Sequence, residues 1–403
     1  MVRMNSFLAI PVIAATLAWA GAVAAHDGGS HAPAANSMAK MWQARQEQAP
    51  RLAVAAAFDE QGRLWLARVV GRHLQVSHSD DAGGSFSAPV TVNPGAELIS
   101  ADGEARPRIA VAGGRVHVSW TQALPQPFAG HVRYARSDDG GQSFSIPETV
   151  NDDQQPITHR FNAMFADASG VTLAWIDKRD GHGKKDYRGA AIYTARRGNG
   201  EASFSNRKLA DHSCECCRLA LAADENGQPL VFWRHIFGKN TRDFALAPVT
   251  GAAGGEPLRA SEDGWQIDAC PHHGGDLAVD VRGGRHLVWF TGAAASPGLH
   301  YRRIDGERMT PPQPFGNLDR QPGHPALAVA GDQVWRVWRE FDGERNYVVG
   351  QHSPDRGEHW SPASDIASDP GAVDDPLLLR GRGATWLLWN SAGRGLQVRK
   401  LAP

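Results

Sequence analysis

Two short runs hold every cysteine of this 403-residue chain, SCECC from residue 213 and ACPHH from residue 269. Together they supply six candidate metal ligands: Cys214, Cys216, Cys217, Cys270, His272 and His273. Thiolate sulfur and imidazole nitrogen select copper(I), or zinc(II) where the geometry is tetrahedral. If the fold brings the two runs together, the sequence predicts a soft-metal site there, with copper favoured and zinc as the alternative.

The first 25 residues have the pattern of an export signal. Arg3 supplies the positive start, residues 7–23 are apolar, and AVAAHD offers small residues for cleavage. We therefore expect residues 1–25 to be a signal peptide and the mature chain to be periplasmic or secreted. No later stretch approaches the roughly 20 apolar residues that a membrane span needs.

An exported protein gives the cysteines a second interpretation. An even number of cysteines in an oxidising compartment is typical of disulfides, and Cys214 or Cys216 could form a bridge to Cys270. A direct bridge between the adjacent Cys216 and Cys217 would be strained. Four cysteines allow three pairings, and the sequence does not choose among them. One disulfide beside a site of two or three ligands also remains open.

Residues 26–50 form a leader that would begin at His26 after cleavage. An N-terminal histidine offers its amine and its imidazole together, and His31, Met38 and Met41 follow. Imidazole and thioether groups suit copper, so one interpretation is a copper-collecting tail. The other interpretation is a flexible polar leader.

Residues 51–403 repeat a strand-like run that contains a tryptophan. The repeated tryptophans are Trp65, Trp120, Trp175, Trp233, Trp289, Trp338 and Trp389. Each run follows another apolar run and a glycine-containing turn, which is typical of a β-hairpin. An all-β repeat of about fifty residues predicts a β-propeller of four-stranded blades. We favour seven blades, with six as the alternative if one terminal unit is an appendage.

The seventh repeat ends after its third strand, so we expect a segment before Arg51 to supply the fourth strand of that blade.

The first strand of each blade lines the central channel of a propeller. Alignment of the repeats on these strands places polar residues around one end of the channel: Glu104, Arg106, His159, Arg160, Cys214, Cys216, Cys217, His272, His273, Gly274, His324, Asp374 and Asp375. The two cysteine runs fall on the neighbouring fourth and fifth blades, so we expect them to meet. His159, His324, Asp374 and Asp375 are further possible ligands at this channel mouth.

Three turns between third and fourth strands share the pattern Ser-x-Asp-x-Gly-x-x-aromatic, starting at Ser79, Ser137 and Ser353. The pattern resembles the Asp-box of the bacterial neuraminidase repeat, which occurs in sialidases and many other propellers. The resemblance implies a sialidase-like fold in which these turns lie at the rim and serve structure, not chemistry. The aromatic residues of the pattern are expected to pack between blades: Phe86, Phe144 and Trp360.

The resemblance also implies a catalytic site that this sequence matches poorly. A sialidase needs three arginines to bind a carboxylate, a tyrosine nucleophile activated by a glutamate, and an aspartate. The string RPRIAV lacks the aromatic residue and the trailing proline of the family's first arginine motif. The weak candidates are Tyr347 beside Glu340 or Glu344, and three clamp arginines: Arg106, Arg160 and Arg339.

The charge balance excludes two classes of partner. The chain has 42 Lys and Arg against 43 Asp and Glu, which leaves no basic field for nucleic acid and no polybasic stripe for a membrane surface. We therefore expect a metal ion or a small-molecule or glycan ligand, and the sequence identifies no protein partner. The favoured function is non-hydrolytic metal binding. The alternatives are an exo-sialidase and a disulfide-stapled propeller that binds a ligand or a protein.

Overall fold

The computed structural model describes residues 51–249 and 256–402, together with the isolated positions 40 and 44. These residues form seven antiparallel sheets, and each sheet is one blade of a β-propeller. The sequence prediction of seven blades is confirmed. Within the described residues, no helix is long and apolar enough to cross a membrane.

The strands follow the chain from the channel outward in every blade. Blade 1 contains β1 (Val54–Phe58), β2 (Leu64–Val70), β3 (His73–Ser79) and β4 (Val90–Thr91). Blade 2 contains β5 (Arg108–Ala112), β6 (Arg115–Ala123), β7 (Gly130–Ser137) and β8 (Glu148–Thr149). Blade 3 contains β9 (His159–Asp167), β10 (Gly170–Asp177), β11 (Ala190–Gly198) and β12 (Ser205–Ser213). Blade 4 contains β13 (Ala220–Ala223), β14 (Pro229–Arg234), β15 (Phe244–Pro248) and β16 (Leu258–Arg259).

The last three blades vary this plan. Blade 5 contains β17 (Asp276–Val279), β18 (Arg285–Thr291), β19 (Gly298–Asp305), β20 (Arg308–Met309) and β21 (Gln313–Phe315), with β20 and β21 both paired to β19. A short 3-10 helix (Leu318–Arg320) leads to blade 6, which contains β22 (Gly323–Ala330), β23 (Gln333–Phe341), β24 (Asn346–Ser353) and β25 (Ser364–Asp369). Blade 7 has three described strands, β26 (Leu377–Gly381), β27 (Ala384–Ser391) and β28 (Gly395–Leu401). The expected closing strand before Arg51 lies outside the described residues.

The first strands of successive blades contact one another around the ring, and β26 contacts β1 to complete it. A buried ion pair reinforces this seam. Arg106, which precedes β5, donates to Asp374 before β26 over 3.0 Å, and Asp374 also accepts the backbone N–H of Val54 over 3.1 Å. Blades 7, 1 and 2 are therefore joined by one arginine and one carboxylate.

The hydrophobic core is divided among the blade junctions. Seven apolar clusters are present in the described residues, and each spans two neighbouring blades. The seven repeated tryptophans lie on the second strands and are buried in these clusters. Each indole N–H also donates to an acceptor, in chain order Asp59, Glu97, Asp177, His235, Asp263, Glu340 and the backbone oxygen of Asp374. A buried indole needs such a partner, so the repeat in the sequence marks a repeated structural contact.

The three Asp-box-like turns share one hydrogen-bond pattern. In the turn of blade 1, Asp81 accepts the backbone N–H of Ser85 over 2.8 Å, and the Ser79 hydroxyl accepts that of Gly83 over 2.7 Å. The turns at Asp139 and Asp355 repeat both bonds. Trp360 then packs against Tyr301 of the preceding blade with ring centroids 4.9 Å apart. These turns hold blades together, as expected for a structural role.

The turn of blade 2 offers a matched pair of glycines for a stability test. Gly141 has φ +83°, and a Cβ there would lie 2.5 Å from the Trp65 ring, whereas Gly140 has φ +70° and open space around it. We expect Gly140→Ala to cost about 1 kcal/mol through backbone strain alone. Gly141→Ala should cost about 3 kcal/mol, because overpacking against Trp65 adds to the strain. Equal losses in urea unfolding would show that the contact between blades is unimportant.

Candidate metal centre

Three cysteines lie together between blades 3 and 4. Residues 214–217 connect β12, the outer strand of blade 3, to β13, the inner strand of blade 4. The backbone N–H of Cys214 donates to the carbonyl of Arg234 over 2.9 Å, which fixes the turn to the end of β14. Cys214, Cys216 and Cys217 are 1%, 4% and 2% exposed and belong to the apolar cluster of this junction. The three thiols are thus buried within the apolar core between blades 3 and 4.

The spacing of the three sulfurs fits a metal–thiolate site. The Cys214 sulfur lies 3.9 Å from that of Cys216 and 3.8 Å from that of Cys217, and all three lie within 4.8 Å of one another. A metal–sulfur distance of about 2.3 Å gives sulfur–sulfur edges of about 3.8 Å in a tetrahedral site and about 4.0 Å in a trigonal one. A disulfide bond is about 2.05 Å long, and all four cysteines are free in the structure.

The fourth cysteine joins the cluster from the next blade. Cys270 lies in the connection from β16 to β17, the inner strand of blade 5, and it is exposed. Cys270 and Cys216 border the same cavity. The two distant cysteine runs therefore meet at the point where neighbouring inner strands begin.

Electrostatics favour a thiolate at the centre of the cluster. Hydrogen bonds from Cys216 and Cys217 hold the pKa of Cys214 well below its usual range, and the positive charges of Arg234 and Arg242 assist them. The Arg242 guanidinium donates directly to the Cys214 sulfur over 3.4 Å. The bond to Cys214 raises the pKa of Cys216, and burial raises that of Cys217. A soft cation that binds all three sulfurs would displace the thiol protons.

A cavity of about 500 Å³ adjoins the cysteines. We call it the cysteine cavity; its lining includes Cys216, Cys270 and His272 but neither Cys214 nor Cys217. Its wall also carries an ion pair between Lys178 and Glu215, 2.8 Å apart and partly exposed. Of the three buried thiols, Cys216 is thus the one that borders the cysteine cavity.

A larger cavity of about 990 Å³ lies over the channel end, and we call it the channel cavity. It shares Asp102 and His272 with the cysteine cavity. His273 borders only the larger cavity of these two, where its ring stacks on Phe290 at a centroid distance of 4.2 Å. His272 is thus the one histidine among the described lining residues of the cysteine cavity, whereas His273 lines the channel cavity.

An ion-pair network fills the base of the channel cavity. Glu104 accepts two bonds from Arg218, at 2.7 and 2.9 Å, one from the Gly274 backbone at 3.0 Å and one from His324 at 3.1 Å. His324 also pairs with Asp375 at 3.1 Å. Burial raises the pKa of Glu104, but Arg218 and His324 outweigh it and lower the pKa to about 2. This network holds five blades together at the channel end.

The other channel-mouth candidates fall into separate groups. His324 and Asp375 belong to the Glu104 network, and Asp374 is engaged by Arg106. His159 is bonded to the Gly130 carbonyl at 2.9 Å and to Asp153 at 3.2 Å. The alignment of the blades therefore places these residues at the expected end of the strands but not around the cysteines. The leader candidates lie outside the described residues: His26, His31, Met38 and Met41.

The sialidase constellation is not assembled. The hydroxyl of Tyr347 donates to Asp342 over 2.8 Å, whereas buried Glu340 accepts the Trp338 indole over 2.7 Å. Neither Glu340 nor Glu344 is hydrogen-bonded to the tyrosine. The three clamp candidates border three different cavities: Arg160 the cysteine cavity, Arg339 the channel cavity and Arg106 a third of about 130 Å³. No single one of these cavities is lined by all three arginines.

Two arginines that shape the site were not predicted from the sequence. Arg218 directly follows Cys217 and neutralises Glu104, and Arg242 approaches Cys214 from the loop between β14 and β15. Arg218 could have been predicted, because charged residues recur at the start of the inner strands. Arg108, Arg218 and Asp276 occupy equivalent positions there. The position of Arg242 depends on a loop conformation that no repeat pattern specifies.

The charge on His324 makes the channel network sensitive to pH. Burial lowers the pKa of His324, but the charge of Asp375 and the hydrogen bonds that His324 donates to Asp375 and Glu104 raise it above its ordinary value overall. Because the pKa of His324 is raised in the folded state, its protonation stabilises the fold fully below the unfolded pKa of about 6.5. This stabilisation is lost as the pH rises through the folded pKa. We expect His324→Gln to lose more stability at about pH 6 than at about pH 9 in urea unfolding. A pH-independent loss would contradict the charged state.

Comparison with solved structures identifies relatives in fold. The BP39L lectin from Burkholderia pseudomallei matches with a TM-score of 0.61 and 14% identity, over 87% of this chain and 96% of the lectin. A PL25 ulvan lyase matches with a TM-score of 0.55 and 12% identity, over 87% and 92% of the two chains. The Hadza microbial sialidase Hz136 matches with a TM-score of 0.44 and 15% identity, over 87% of this chain and 65% of the sialidase.

Neither a protein-family model nor a curated protein sequence matches the chain. At these identities the lectin and the lyase show that the β-propeller fold is shared, and fold alone does not carry function.

Proposed function

We propose that this protein is an exported copper(I)-binding β-propeller whose metal is held by Cys214, Cys216 and Cys217. The observation that carries the proposal is the cluster of three buried sulfurs at metal–thiolate spacing. Thiolates select copper(I), which accepts low coordination numbers, whereas structural zinc takes four ligands. Export, which the first 25 residues predict, would place the site outside the cytoplasm.

Simple core packing accounts less well for the cluster. Buried cysteine often serves as a small hydrophobic residue, and packing alone would not require an arginine beside the sulfur. Here Arg242 donates to Cys214, and Cys270 extends the set of thiols toward solvent. These contacts stabilise the negative charge that a metal ligand carries.

Copper competition tests the proposal on the reduced mature protein under anaerobic conditions. Bicinchoninate forms a coloured copper(I) complex, and we expect the protein to withdraw about one copper(I) per chain from it. The three sulfurs of Cys214, Cys216 and Cys217, which we call the trio, offer one site. Alkylation of the unfolded thiols before refolding should abolish this transfer. The proposal is overturned if the chelator keeps its copper or if alkylated protein binds equally well.

A glycan ligand in the channel cavity is a second candidate function. The cavity is lined by Phe290, Phe341, Asn346 and Arg339, which combine apolar surface with hydrogen-bonding groups. A glycan microarray, repeated with Phe341→Ala, tests this candidate: the expected result is a bound class of glycan lost in the variant. No fluorogenic sialoside should be hydrolysed, because Tyr347 lacks its glutamate partner.

A further inference from the structure

The buried trio needs a route by which copper arrives. Cys214 and Cys217 do not border the cysteine cavity, and only Cys216 faces it from within the cluster. A metal ion that enters from this cavity would therefore meet Cys216 before the other two sulfurs. Any group that delivers the ion to Cys216 must lie on the wall of the same cavity.

Two exposed ligands occupy that wall. Cys270 is exposed and lines the cysteine cavity together with Cys216, and His272 follows two residues later, also exposed. His272 has φ +51°, a left-handed conformation that costs a residue other than glycine about 1 kcal/mol or more. Strain of this kind persists where surrounding contacts impose it.

The contacts that impose this conformation come from the next residue. The His273 carbonyl accepts a bond of 2.9 Å from the buried Arg234, and the His273 ring stacks on Phe290 at 4.2 Å. The segment is thus anchored at His273, which leaves Cys270 and His272 on the cavity wall. The same arginine supports the trio, because its carbonyl accepts the N–H of Cys214.

We propose that Cys270 and His272, with Cys216, form a receiving site that takes copper(I) at the surface and passes it to the buried trio. This inference rests on the proposed function. In the transfer, the copper bonds to the Cys270 sulfur and the His272 nitrogen break as bonds to the sulfurs of Cys214 and Cys217 form. Cys216 stays bound throughout. Copper remains copper(I), and a proton lost by the trio is balanced by one gained at Cys270.

Loading kinetics separate a receiving site from a permanent ligand. Reduced mature protein is mixed with the copper(I)–bicinchoninate complex, and the loss of colour is followed by stopped flow. We expect Cys270→Ser and His272→Asn to load at least about tenfold more slowly, with stoichiometry and equilibrium affinity close to those of the wild type. His359→Asn, which changes an exposed histidine on a rim turn of blade 6, is the matched control and should load at the wild-type rate.

Each other outcome rejects the transfer. If Cys270→Ser loads as fast as the wild type, the receiving site is wrong while the trio stands. If Cys270→Ser loses equilibrium binding, Cys270 is a permanent ligand, and transfer is again excluded. If the wild type binds no copper(I) at all, the proposed function itself fails.

Discussion

We expect replacement of Cys214 by serine to remove the proposed copper(I) binding. Cys214 contacts both other thiols of the trio and Arg242, so its sulfur is the centre of the cluster. A serine hydroxyl is a hard, protonated donor that a soft ion does not select. Because the loss of supporting groups alone costs 10–100-fold in metal affinity, we expect the loss of this ligand to cost at least about 100-fold. Competition against bicinchoninate measures the change.

Ser213→Ala is the matched control for this variant. The Ser213 hydroxyl donates to the Cys214 carbonyl over 2.9 Å, so its removal perturbs the same turn without removing a sulfur. Copper affinity in Ser213→Ala should stay within a few-fold of the wild type. If Cys214→Ser binds copper(I) with wild-type affinity, the trio is not the site. If both variants lose copper affinity equally, the loss results from a changed conformation of the turn and not from the missing sulfur.

Replacing Glu104 by alanine should destabilise the propeller by about 3–5 kcal/mol, since it removes the salt-bridge partner of the buried Arg218 guanidinium. Glu104 is 5% exposed and accepts bonds from Arg218, Gly274 and His324 on three other blades. Asp375 and Asp276 also act on Arg218 through their charges, but its salt bridge among the described residues is to Glu104, so the variant retains a buried guanidinium with reduced compensation. Urea unfolding with a constant m-value measures the loss.

An exposed ion pair is the control for Glu104. Asp332 pairs with Arg282 at 2.8 Å, and the two side chains are 45% and 58% exposed. Asp332→Ala should change stability by less than about 1 kcal/mol, because solvent screens such pairs. If Glu104→Ala costs no more than this control, the channel network does not hold the blades together.

The fold was predictable because its signal is repeated seven times. Each blade buries one tryptophan and gives its indole an acceptor, so the same chemistry recurs at the same place in each repeat. The three turns at Asp81, Asp139 and Asp355 add an independent periodic mark. Blade 5 has an additional strand, β20. The sequence did not predict it, because its two residues show no repeated pattern.

Only those features of the candidate metal site that follow from the circular arrangement of the blades could be predicted from the sequence. The connections that lead into neighbouring inner strands place Cys270 and Cys216 on the wall of one cavity, which the alignment of the blades predicts. The same alignment grouped His273 with the thiols, and it does not distinguish residues that face the cysteines from residues that face the channel. Phe290 and Arg234 turn His273 toward the channel cavity, and these contacts join residues that are distant in sequence.

The central claim is that three thiolates of one buried cluster bind copper(I), and X-ray absorption at the copper K edge tests it most directly. The sample is wild-type mature protein loaded with one equivalent of copper(I) under anaerobic conditions. We predict a first shell of sulfur alone, about three atoms at about 2.3 Å. A first shell made mainly of nitrogen or oxygen would place the metal elsewhere and contradict the assignment.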